Sequence, residues 1–120
     1  MGKRGRQREK LTAPTTDYAS PDGSATLTLR GSMTPATRRE YADLMTFGTG
    51  PAQTSEDRWQ RGVEFLFERL VAGWTVSGVA TTKQKELLQR FRFASVEERA
   101  WIRDVLREHL TEWFPDVEAP

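Results

Sequence analysis

The stretch from Asp57 to Trp74, DRWQRGVEFLFERLVAGW, carries more apolar and aromatic bulk than any other part of this chain, so any fold must pack around it. At 100° per residue, Trp59, Val63, Leu66, Phe67, Leu70 and Trp74 fall on one side of a helix. Arg58, Arg61, Glu64, Glu68 and Arg69 fall mostly on the other, and Phe65 projects from that polar side. The spacing predicts an amphipathic helix over residues 57–74. Thr54 or Ser55 is its N-cap, and Glu56 and Asp57 sit in its first turn, where carboxylates meet the positive end of the helix dipole. Gly73 and the Trp74–Val79 stretch read as an exit into extended chain.

The remaining elements follow from local signals. Thr15–Ala19 and Ser24–Arg30 flank Ser20-Pro21-Asp22-Gly23, where Pro presets φ and Gly accepts positive φ. Leu27 and Leu29 alternate with threonines, so a β-hairpin with one apolar face is expected. A lone hairpin is marginal in water, so that face should lie on helices. Thr34-Pro35 opens a helix that turns Tyr41, Leu44 and Met45 inward and stops near Phe47-Gly48. Thr81 with Gln84, and Ser95 with Glu98, have the spacing of capping boxes. The first would open a short helix carrying Leu87, Leu88 and Phe91. The second would open a last helix with Trp101, Ile102, Val105, Leu106, His109 and Trp113 on its apolar side. Pro115 ends it. The fold class expected is mainly α (α+β): an N-terminal β-hairpin packed on a bundle of about four helices. Residues 1–14 form a flexible basic arm, 15–115 a single domain and 116–120 an acidic tail.

A length of 120 residues suits one domain. The hydrophobic share of 37% and mean hydropathy of −0.66 imply a modest core, helped by a partner or by self-association. With no cysteine, disulfides, thiolate metal sites and a cysteine nucleophile are excluded together. No apolar run approaches the ~18 residues of a membrane span, and the basic N-terminus lacks the apolar segment of a signal peptide. The net charge of +1 hides opposite ends. Residues 1–10 carry Lys3, Arg4, Arg6, Arg8 and Lys10 against Glu9, and from Glu108 onward four acids stand without a Lys or Arg. Solvated tails are the plain reading, and the alternatives are head-to-tail contacts between copies or contacts with other charged chains.

Catalytic chemistry finds little support. His109 is the single histidine and sits within an apolar stripe, which favours a hydrogen-bonded core or interface residue over a metal ligand or general base. Glu97 and Glu98 diverge by 100° in a first turn where acids are common. Gly48-Thr49-Gly50-Pro51 lacks the Lys-Ser/Thr of a phosphate loop. The chain is therefore read as non-enzymatic, with no cofactor and no metal. Of its four tryptophans and six phenylalanines, most belong to a core. Phe65, Phe93 and Phe114 fall off the main helical faces, as interface anchors do. Together with Trp74 they are the candidate partner-binding residues. A nucleic-acid reading would instead use Lys3, Arg4, Arg6, Arg8 and Lys10 on phosphates.

The order of elements adds a further pointer. A β segment SATLTLRG leads into TPATRRE, then into a helix ending LVAGWTVSGV, then helical pairs and WFPDVEAP. This organisation, over roughly Ser24 to Pro120, resembles the small tail assembly chaperones and tail-morphogenesis proteins of long-tailed actinobacterial phages. The resemblance implies a protein that binds the helical tape-measure protein and recruits tail-tube subunits in the host bacterial cytoplasm. The alternatives are a structural head–tail connector or neck component of the virion, which would form a homo-oligomer, and a small nucleic-acid-binding protein.

Overall fold

The first hairpin is built by its turn. Gly23 takes φ +74, and its N–H donates to the Ser20 carbonyl at 2.9 Å. The Asp22 carboxylate accepts from the Ser20 hydroxyl and from the amide and hydroxyl of Ser24, which holds its pKa down at about 2. The computed structural model describes residues 14–47 and 54–120. Within them the order is β1 (Thr15–Ala19), β2 (Ala25–Arg30), α1 (Pro35–Phe47), α2 (Ser55–Leu70), β3 (Val71–Val76), β4 (Val79–Thr81), α3 (Gln84–Arg92) and α4 (Val96–Trp113). The strands form one antiparallel sheet in the order β1-β2-β3-β4. The hairpin-on-helices architecture expected from the sequence is present, with a second hairpin added to the sheet.

That second hairpin corrects the reading of the central stretch. The helix stops at Leu70, where the Val71 N–H closes the last helical bond to Phe67, and Val71–Val76 continues as a strand beside β2. Val71 and Trp74 are three residues apart, a helical spacing, and a regular strand would send them to opposite faces. A bulge resolves this: Thr28 pairs with Gly73 and Leu29 with Val71, so Ala72 is the extra residue. Both Val71 and Trp74 consequently face inward. The strand turns back through Ser77 (φ 49) and Gly78 (φ 81), a two-residue turn with both angles positive, as tight hairpins prefer.

Tyr18, Leu27 and Trp74 stand side by side across three strands, with Leu29 and Val71 beside them. All five are buried against Leu66, Phe67, Leu70, Ile102, Leu106 and Leu110 of the helices. Each large apolar side chain enclosed in this way contributes roughly 1.5–3 kcal/mol. The opposite face carries Asp17, Thr26, Thr28, Thr75 and Ala80, without an aromatic ring on which a base could stack.

Helix starts match the local signals at three places. Thr34 accepts from the Thr37 amide, and Thr54 with Asp57 and Ser95 with Glu98 form capping boxes. The Thr81–Gln84 box does not form. Lys83 is the N-cap of α3, and the Gln84 side-chain Nε2 donates instead to the Glu68 carbonyl near the end of α2, because β4 holds Thr81 in the sheet.

Nor is the C-terminal segment a solvated tail. After Phe114 it folds back over α1 and α2, with Val117 and Ala119 packed on the core and Pro120 buried. The Tyr41 hydroxyl donates to the Glu118 carbonyl, and Arg103 and Arg107 donate to the Pro120 oxygen at 3.2 and 2.7 Å. Gly62 permits the close approach, since a Cβ there would stand 3.4 Å from Pro120 Cβ and 2.9 Å from Met45 Sδ. Three apolar residues among the acids explain why this end packs.

Candidate interaction surface

The junction between α3 and α4 is short and tied at both ends. The Phe93 N–H bonds the Gln89 carbonyl, Ala94 bonds Phe91, and the Ser95–Glu98 capping box starts the next helix at once. Phe91 points into the core and stacks on Phe67 at 4.7 Å between centroids. With its neighbour directed inward and the chain turning, Phe93 projects outward, 83% exposed, beside Val96 at 81%.

Arginines brace this corner. Arg92 pairs with Glu64 of α2 at 3.0 Å. Arg99 donates to the Arg92 carbonyl at 2.6 Å, and its guanidinium lies 5.5 Å from the Phe91 ring centre. An exposed aromatic on a braced backbone has little backbone entropy left to lose on binding, which is the property of an interface anchor. Trp59, in the first turns of α2, is also partly open, with Arg103 stacked over its ring at 5.0 Å.

The four aromatic residues singled out from the sequence divide sharply. Phe93 alone is open to solvent. Phe65 is half-buried, tilted against Tyr41 at 6.0 Å and covered by Arg69 at 5.1 Å. Trp74 and Phe114 are buried and are removed as contact residues. Trp74 is turned inward by the bulged strand and meets Phe67 edge-on at 5.8 Å. Phe114 lies just past the end of α4 with φ −137, so the helical projection no longer applies to it, and its ring is sealed under Arg38. The spacing placed Trp59 on the core side and gave no signal for Val96, which sits in the exposed first turn of α4.

His109 is a buried structural residue. Its Nε2 lies 2.7 Å from the Arg30 carbonyl oxygen, which can only accept, so Nε2 carries the proton. Nδ1 then accepts from the Tyr18 hydroxyl at 2.8 Å. Burial holds the imidazole pKa below its ordinary value, and burial with Glu112 and Glu108 nearby pushes the Tyr18 phenol up to about 12. Among the described residues, no group of three or more His, Asp or Glu is placed to hold a metal, and no helix is long and apolar enough to cross a membrane. Lys3, Arg4, Arg6, Arg8 and Lys10, and the Gly48–Pro51 stretch weighed as a phosphate loop, lie outside the described residues. Comparison with protein-family models, with curated proteins and with solved structures finds no match to this chain.

Proposed function

We propose that this protein is a non-enzymatic interaction module that inserts Phe93 and Val96 into an apolar site on another protein. The observation that carries this reading is the pair of exposed apolar side chains on a corner fixed by capping and by Arg92–Glu64. Burying an aromatic of this size removes 150–250 Å² from water, which is ample for an anchor. Arg92 and Arg99 beside it favour a partner surface with acids around an apolar pocket. The element order resembling phage tail assembly chaperones supports a more specific version. In it the partner is an amphipathic helix of a tape-measure protein, and the complex recruits tail-tube subunits before the particle is complete.

The test is co-expression with a tape-measure protein of a long-tailed actinobacterial phage, followed by co-purification of wild type, Phe93→Asp and Val96→Asp. Both positions are exposed, so the variants should keep the wild-type melting temperature to within a few degrees. A complex lost in both variants supports the reading. A complex retained by both, or a closed ring formed by the protein alone, would overturn it, the ring pointing to a connector.

A further inference from the structure

A second surface lies where the edge strand β1 meets α4. A cleft of about 360 Å³ opens there, lined by Asp17, Tyr18 and Pro21 from the hairpin and by Trp101, Asp104 and Glu108 from α4. Among the described residues, strand β1 pairs only with β2, which leaves one side of its backbone open. The register identifies which groups those are. Ser20 N–H donates to Ala25 and Pro14 C=O accepts from Gly31, so even-numbered residues turn their polar groups to β2. Thr15, Asp17 and Ala19 therefore turn theirs to the open edge, by the alternation of antiparallel ladders. A row of unpaired amides and carbonyls is a template for an added strand.

The charge around this edge has one sign. Asp104, Glu108 and Glu112 are spaced four apart on α4 and form one stripe, while the Asp17 carboxylate accepts from the Thr28 hydroxyl on the other face of the sheet. Among the described residues, none of the three α4 carboxylates has a Lys or Arg within salt-bridge distance. Like charges four apart on a helix repel one another, so the stripe opposes the stability of its own helix. Its pitch also fits a strand: residues four apart on a helix rise ~6 Å, and alternate side chains of a strand are ~6.8 Å apart. Trp101 and Pro21 supply apolar wall between the acids.

We propose that this cleft takes an extended segment of a partner protein, which adds to the open edge of β1 and sets alternate Lys or Arg side chains against Asp104 and Glu108 of α4. This surface is independent of Phe93 and Val96, so the protein has two ways of engaging other chains. The acidic lining rejects nucleic acid and selects a cationic peptide.

The experiment titrates the full-length protein into a labelled ten-residue peptide alternating Arg and Val, followed by fluorescence anisotropy at low salt and at about 200 mM salt. Binding that weakens with salt, falls at least about tenfold in Asp104→Lys/Glu108→Lys, and is unchanged in Phe93→Asp supports the proposal. Amide shifts concentrated at Thr15, Asp17 and Ala19 in that titration support strand addition. Absence of binding, or binding indifferent to the double substitution, overturns it. Binding that emerges only after deletion of residues 1–12 also overturns it, in favour of the chain's own basic segment as the occupant. Concentration-dependent self-association abolished by the double substitution would do the same in favour of a second copy.

Discussion

Replacing His109 by phenylalanine tests the buried polar link that ties the sheet to α4. The imidazole is fully buried, accepts from Tyr18 at 2.8 Å and donates to the Arg30 carbonyl at 2.7 Å. Its ring also meets Tyr18 edge-on at 5.5 Å and Phe114 at 5.9 Å. Phenylalanine keeps most of those apolar contacts and leaves two polar groups unpaired. Each unpaired group costs about 1–3 kcal/mol, so a loss of about 2–4 kcal/mol is expected, against the 5–15 kcal/mol of an ordinary domain. Urea unfolding followed by tryptophan fluorescence near pH 7.5 measures it. Tyr18→Phe should cost about half as much, and the double variant less than the sum, because the shared bond is lost only once.

Acidity provides an independent check on His109. Burial lowers the folded imidazole pKa, so near pH 6 the unfolded chain binds more protons than the folded one. The contribution is present in full above the unfolded value of about 6.5 and is lost as pH falls through the lower folded value. Wild type should therefore lose stability from about pH 7 to 5, and His109→Phe should not. Asp22 and Asp57, both held low by hydrogen bonds, act only in more acidic solution. If His109→Phe unfolds within 0.5 kcal/mol of wild type, or if wild type is level across that pH range, the buried link does not carry what the geometry implies.

Trp74→Ala should be among the most costly single changes, about 3–5 kcal/mol by urea unfolding, because the indole fills the space between Leu27 and Phe67; a loss under about 1 kcal/mol would refute its place in the core. Gly78→Ala should lower stability by about 1–2 kcal/mol, since φ 81 is strained for any residue with a Cβ, and Ser77→Asn at φ 49 should hold or raise it. Thermal melts of both variants check the turn. Removing residues 117–120 should cost about 2–4 kcal/mol by exposing the apolar surface under Val117, Ala119 and Pro120; an unchanged melt would mean that this segment packs without contributing.

Capping and turn chemistry were readable in advance because each acts within one turn of chain. Thr34, Thr54 and Ser95 start helices where their side chains can reach an amide three residues on, and Pro21 to Gly23 closes a hairpin with its own carboxylate network. The second hairpin carried a comparable signal in Ser77-Gly78 between two valines. It was hidden because Leu66, Phe67, Leu70, Val71 and Trp74 continue a helical period that a bulged strand happens to share.

Periodicity identifies which side chains leave the main apolar stripe of a helix, and Phe65, Phe93 and Phe114 were found on that basis. It cannot say what comes to cover them. Phe93 is left open because the chain turns there and no described residue covers its ring, while Phe114 is sealed where the chain leaves α4. The acidic cleft needs β1 and α4 together, and Tyr18 meets His109 across 91 residues. Amino-acid order alone thus determined where three of the four helices and the first turn begin, because backbone angles and capping bonds answer to near neighbours. Burial, exposure and the pairing of charges were decided by the tertiary fold, because they depend on residues that only the folded chain brings within a few ångströms.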